Sequence, residues 1–196
     1  RDFFARMEAL PGVVSVGGTT RVPLGSTAVS TTIQRESHPL PVAELPEVQF
    51  RRAMHDYFRA MGIPIRRGPA FNPTDASTAP PVAIINETMA NALFRNQDPV
   101  GQHIRIGPAP TGPWTTIVGV VGDVRHGGLE ETPQPELYIN YLQGPPVAPF
   151  IVVRTAGDPA SLADPVRAEM RRIDRNVPVY DMRTMATLRS DAISTR

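Results

Sequence analysis

Apolar residues change their spacing several times along this chain, and each change predicts an element. Phe3, Phe4, Met7 and Leu10 recur at helical spacing, and Pro11-Gly12 stops that helix. Val13 to Thr20 is a short β-rich run before the turn residues Pro23-Leu24-Gly25-Ser26. The polar stretch after it leaves room for a strand at Val29 to Gln34 and a surface loop at His38 to Pro46. Val48 to Met54 reads as a strand. Asp56 to Met61 reads as a short helix with Tyr57, Phe58 and Met61 on one side, ended by Gly62. Ile63 to Gly68 is extended, and a Pro-rich loop follows.

The second half repeats these signals with more β character. Val82 to Ile85 is a four-residue apolar strand, and Asn86 caps a helix over Glu87 to Phe94 with Met89, Ala90, Leu93 and Phe94 on its apolar face. His103 to Ile106 alternates. Trp114 to Val124 is the strongest strand signal, and Leu137 to Tyr141 is another. Phe150 to Arg154 is a strand, and Asp158-Pro159 starts a helix that restarts or kinks at Asp164-Pro165, with Val166, Met170 and Ile173 on one face. Val177 to Tyr180 reads as a strand, and Thr184 caps a last helix. The order is α/β, a β-rich middle, then α/β again.

This pattern predicts an α+β fold of two lobes. Residues 1–67 and 146–196 would form a discontinuous, porter-like α/β lobe of split βαβ (ferredoxin-like) type, whose first strand would precede Arg1. Residues 68–145 would form an inserted β-rich lobe with its own small core of Ile85, Leu93, Phe94, Ile117, Val118 and Val120.

Composition narrows the function classes. Hydrophobic residues make up 41% of the 196 residues, enough for a packed core. The net charge is +1, which gives nucleic-acid binding little electrostatic support. All 20 basic residues are Arg and Pro numbers 22, both in keeping with GC-rich codons. With no Cys, disulfides, thiolate metal sites and a Cys nucleophile are excluded. No signal peptide and no spanning apolar run is visible, and the chain reads as a fragment of something longer.

Several segments, taken in order, resemble one family. They are Phe58-Arg-Ala-Met-Gly-Ile-Pro-Ile-Arg-Arg-Gly68, Pro81-Val-Ala-Ile-Ile-Asn-Glu-Thr-Met-Ala90, Asp98-Pro-Val-Gly-Gln102, Ile117-Val-Gly-Val-Val-Gly-Asp-Val-Arg125 and Pro135-Glu-Leu-Tyr138. Val152-Val-Arg154, the stretch from Asp174 to Val177-Pro178, and Arg183-Thr-Met185 follow. Each is weak alone; the series is specific, covers nearly the whole chain, and resembles the MacB-like periplasmic core domain of MacB/FtsX-type ABC transporter permeases. The resemblance implies a domain between the first and second transmembrane helices, on the periplasmic side of the inner membrane. Its final stretch, Thr184 to Arg196, would lead into a membrane helix. Its implied partners are the rest of its own permease, an ABC ATPase subunit or domain, a second permease copy, and a periplasmic adaptor or lipoprotein. There is no P-loop here, so ATP hydrolysis would belong elsewhere.

Candidate chemistry is sparse. Asp123 and His126 stand three apart beside Gly127-Gly128, which is half of a metal site, and nothing nearby in sequence completes it. His38, His55 and His103 are scattered singly. Ser194 and the other serines lack a nucleophile elbow. Gly119-Val-Val-Gly122 lacks the third Gly and following helix of a dinucleotide fingerprint. Glu130 and Glu131 with Asp123 read as a solvated acidic loop, Asn86-Glu87-Thr88 fits a glycosylation sequon as well as a cap, and Trp114 and Tyr138 suit core or edge packing more than a ligand groove. The expectation is therefore no catalytic residue, no metal and no cofactor. The chain would be a coupling module between stiff connectors at Arg1 to Leu10 and Thr184 to Arg196. The alternative is a periplasmic module binding a peptide, lipid or drug between lobes.

Overall fold

A computed structural model describes residues 2–24, 28–75, 77–109, 111–126, 128, 130–145, 147–173, 175 and 179–194. Its elements are α1 (Asp2–Glu8), β1 (Val13–Thr19), β2 (Ser30–Arg35), β3 (Glu47–His55), α2 (Tyr57–Met61), β4 (Ile65–Arg67), β5 (Val82–Asn86), α3 (Glu87–Leu93), β6 (His103–Ile106), β7 (Thr115–Val121), β8 (Glu136–Asn140), β9 (Phe150–Thr155), α4 (Ala163–Ile173) and α5 (Met185–Ser194). The expected strand at Val177 to Tyr180 lies partly outside the described residues, and Val179 and Tyr180 belong to no strand. The restart near Asp164-Pro165 is a 3-10 turn over Pro159–Leu162, capped by Asp158, that passes into α4.

The fold is mixed α+β and rich in sheet. The nine strands join in one sheet, in the order β2-β6-β7-β5-β8-β3-β1-β9, with β4 on β7. β2 also pairs β3, so β2, β6, β7, β5, β8 and β3 close on themselves as a barrel. β1 and β9 extend the sheet outward from the second half of β3 as an outer layer. Pairing is parallel in β3–β8 and β5–β7 and antiparallel elsewhere. The parallel pair β5–β7 at the middle of the sheet is largely buried on both faces, which is why Val82 to Ile85 and Ile117 to Val121 read as unbroken apolar runs rather than alternating ones.

Each of these central strands serves two cores. One face fills the barrel with Ile33, Val48, Ala83, Ile85, Ile104, Ile117, Val120 and Leu137, and α3 adds Met89 and Phe94. The other face packs Ala53, Ile84, Val121 and Tyr138 against Tyr57, Phe58 and Ile63. Of the core expected from sequence, Ile85, Phe94, Ile117 and Val120 lie in the first cluster and Leu93 packs against it. Val118 points to the other core. The segment 1–67 also contributes to both, and its β2 pairs β6 while its β3 pairs β8. Residue 68 is thus not a break in the sheet.

α2 needs a close approach to β1, and Gly17 permits it. A Cβ at Gly17 would sit 2.3 Å from the Tyr57 Cα, a backbone atom that cannot move aside. Gly62 then ends α2 with φ of 72°, a left-handed conformation that glycine adopts at little cost.

Ile117 is fully buried in the barrel core. Ile117→Ala is expected to lower the unfolding free energy by about 2–5 kcal/mol in urea titration, as for large-to-small changes in a packed core. A loss under about 0.5 kcal/mol, the range of surface changes, would place the strand outside the core.

Candidate functional site

The electrostatic centre of the molecule lies where β3 meets β8. Their parallel register sets Arg51 beside Tyr138 and Gln49 beside Glu136. Side chains two apart on a strand share a face, so Glu136 and Tyr138 both lie on the face where Arg51 reaches them. The Arg51 Nε donates to the Glu136 Oε1, and both side chains are essentially buried. His126, on the loop after β7, brings its Nε2 to 2.9 Å from Oε1 and 3.0 Å from Oε2. The Tyr138 hydroxyl donates to Oε2 at 2.7 Å. Asn86 fixes the start of β8. Its Oδ1 accepts from the Glu136 backbone N–H and from the Met89 N–H, both at 2.9 Å, and its Nδ2 donates to the Gln134 carbonyl at 2.8 Å.

Taking two charges out of water is costly unless their attraction and hydrogen bonds are both good. Here Glu136 accepts from three side chains. Burial alone would raise its carboxyl, but His126, Arg51 and Tyr138 outweigh burial and hold it below the usual carboxylate range. Burial and the neighbouring Glu136 charge push the Tyr138 hydroxyl well above its ordinary value, and burial, with Glu136 second, does the same to Tyr57. The Tyr57 hydroxyl lies near Thr19 without a well-formed hydrogen bond, and among the described residues the buried His126 Nδ1 meets no hydrogen-bond partner. A carboxylate this buried and this fully engaged holds a charge in place; it is not placed to move a proton to a substrate.

The residues singled out from sequence are mostly apart. Asp123 does not join His126. It accepts from the Thr88 N–H and hydroxyl, both at 2.9 Å, and so supports the start of α3 together with the Asn86 cap. Arg125, Glu130 and Glu131 are exposed on the following loop. His55 stacks on Phe4 at 4.4 Å and meets Glu8 at 2.7 Å, while His103 meets Glu36 at 2.8 Å. His38 bridges back to Arg35. Trp114 lies under the Arg105 guanidinium at 4.0 Å, and Tyr138 is fully buried. Gly119 is small because a Cβ there would lie 2.5 Å from the Pro69 carbonyl. The Ser194 hydroxyl donates to the Ser190 carbonyl along α5. Among the described residues no three His, Asp or Glu side chains gather to hold a metal ion. Sequence reasoning missed Arg51. Its signal was a charge at a buried position of the strand Glu47–His55, which demands a partner.

A family model described as the MacB-like periplasmic core domain matches residues 1–173. The crystal structure of the periplasmic region of MacB from Actinobacillus actinomycetemcomitans superposes with a TM-score of 0.62 at 15% identity, covering 99% of this chain and 80% of that one. A domain of a protein described as a permease from Porphyromonas gingivalis gives 0.56 at 19% identity, covering 94% and 86%. The extracellular domain of the noncanonic ABC-type transporter YknZ from Gram-positive bacteria gives 0.52 at 17%, covering 86% and 76%. No curated protein matches the sequence significantly.

Two outcomes test the buried network. Glu136→Gln leaves the Arg51 charge buried without its counter-charge, which is expected to cost about 3–5 kcal/mol. Because the Glu136 carboxyl is held low in the fold, its contribution is whole above the unfolded value of about 4.3 and is lost as pH falls below it. The variant should therefore flatten the acid limb of the stability profile, and an unchanged limb would remove the ion pair from the account. On the alkaline side, a raised hydroxyl contributes stability below the unfolded value of about 10 and loses it as pH rises further. Tyr57 and Tyr138 should consequently ionise only as the chain unfolds. Absorbance at the phenolate band checks this: their ionisation before the loss of tertiary structure would show that the site is open to water.

Proposed function

Since the chain belongs to the MacB-like periplasmic core domain family, the domain of ABC transporter permeases, we propose that it is the extracytoplasmic coupling module of such a permease. The observation that carries this reading is the family match over residues 1–173, which takes in every described strand and α1 to α4. In this role the domain does no chemistry. It is moved by ATPases closing on the cytoplasmic side, and it passes that motion to an exported substrate or a periplasmic partner. Its partners are then the membrane helices of its own permease, an ABC ATPase subunit or domain, and a second permease copy. An adaptor or lipoprotein on the periplasmic side is a further candidate. α1 and α5 suit the connectors. α1 packs on β1 and α4, whereas α5 buries none of its residues. No described helix is long and apolar enough to cross a membrane.

The finer architecture of this proposal is a porter-like layer made of β1, β9 and the second half of β3 with α1, α2 and α4. The barrel serves as its inserted partner, taking β2 and the first half of β3 as well as 68–145. The alternative of ligand binding calls for a deep apolar cleft. The concavity lined by Ala168, Arg171, Arg172, Ile173 and Arg175 is instead open and basic.

The chain has no cysteine, so an introduced one is a clean reporter within it. In cells carrying the full permease, Asn91→Cys and Arg59→Cys, both at exposed helix positions, are expected to react with a membrane-impermeant maleimide without lysis. Reaction only after lysis would overturn the extracytoplasmic assignment. Alanine substitutions at Asp123, Arg125, His126, Glu130 and Glu136 should give graded losses of transport that follow folding or partner contact. One well-folded variant with all transport gone and ATP hydrolysis intact would point to a chemical site instead.

A further inference from the structure

β3 changes partner in mid-strand. Residues 47–49 pair β2 and belong to the barrel, and residues 53–55 pair β1 and belong to the outer layer. This is where a hinge between the two would have to lie, and the backbone there is hydrogen-bonded on both edges. On one edge the Phe50 N–H donates to the Val29 carbonyl at 2.8 Å, the Thr20 N–H donates to the Arg52 carbonyl at 3.1 Å, and the Arg52 N–H donates to the Thr20 hydroxyl at 3.1 Å. On the other edge β8 runs unbroken past the changeover, pairing Gln49 through Ala53 with Glu136 through Asn140. Arg51 sits at the middle of the changeover and is 3% exposed, and Glu136, on a barrel strand, is 1% exposed. Bending β3 here would pull these two charges apart while both remain buried, or open them to water with the second core. That core is itself shared, because Tyr57 and Phe58 of α2 pack with Ile84, Val121 and Tyr138 of barrel strands.

We propose that the Arg51–Glu136 pair at the strand changeover, with His126 latched onto it from the 122–135 loop, locks the barrel and the outer layer into one rigid body. The domain then moves as a single lever on its connectors, and it does not close a cleft between two lobes. Rigidity stands on the geometry alone; the lever role rests on the proposed coupling function. A carboxylate bonded by a guanidinium, an imidazole and a hydroxyl fixes a single arrangement, since every alternative leaves a buried donor or charge unmatched.

The test places nitroxide labels at Asn91→Cys on α3, which packs on the barrel, and Arg59→Cys on α2, in the outer layer, and measures their separation by pulsed electron resonance. One narrow distance is expected in the isolated chain, and the same distance in the full permease with and without ATP. A second resolved distance, or a shift on adding ATP, would overturn the lock. The same labels on an Arg51→Met/Glu136→Gln background remove both charges while keeping side chains of similar length. The distance should then broaden while the chain stays folded by circular dichroism, and an unchanged width would show that the ion pair is not what locks the two parts. Should that background fail to fold, His126→Ala is the milder variant, since it removes one contact and leaves the pair. Amide exchange in residues 136–140 should then accelerate relative to residues 82–86, and equal protection in both strands would overturn the latch. The two readings separate cleanly. Narrow distances with labels unreachable from outside the cell would sink the coupling function and spare the lock; two distances with reachable labels would do the reverse.

Discussion

A buried guanidinium against a buried carboxylate is the constraint on which the rest of this domain depends. Parallel strands have no hairpin turn to set their register, and β3 and β8 are separated by some 80 residues of intervening chain. A slip of one residue in either strand would exchange its faces. Arg51 or Glu136 would then point into a barrel filled by Ile33, Ile85, Ile104 and Ile117, away from the partner that balances its charge. The ion pair therefore selects the register in which Val48 and Leu137 face the barrel and Ala53 and Tyr138 face α2. Its contribution to net stability is small after desolvation, but the penalty it places on wrong pairings is large.

Two cores on one set of strands follow from that register. β5, β7 and β8 have no solvent face in their central residues, so they carry apolar or fully bonded groups on both sides. This economy lets short helices suffice. α2 has five residues, far too few to be helical alone, and it holds its shape because Tyr57 and Phe58 are clamped in the second core while Gly17 lets its backbone settle on β1. α3 is likewise held at its start, by the Asn86 cap and by Asp123 just past the end of β7.

Much of this was legible in the sequence, because element type follows from local pattern. The alternation at His103 to Ile106, the Asn86 cap, Gly62 after α2 and Thr184 before α5 each marked a boundary that the structure keeps, with the Thr184 hydroxyl accepting from the Thr187 N–H at 3.0 Å. Pairing was not legible. Nothing local in Ser30 to Arg35 says that it joins β6 and β3 and so closes a barrel, because partner choice depends on side chains far away in the chain. The same limit hid the site. Asp123 and His126 looked like a pair because they are near in sequence, yet each answers to a different distant residue, Thr88 for one and Glu136 for the other.

Shifted titratable groups often flag a site of chemistry, and here three of them, two tyrosines pushed well up and one carboxyl held down, touch or neighbour one another. What decides their role is access and spare capacity. A general base needs a free lone pair aimed at a substrate and a value near the working pH. Glu136 is bonded by Arg51, His126 and Tyr138, is pushed away from neutrality rather than toward it, and is 1% exposed. The tyrosines are pushed the other way, so all three groups keep one protonation state across the physiological range. Such an arrangement is fixed charge in a fixed frame. It suits the coupling role proposed for the domain, in which the perturbed values come from holding a shape.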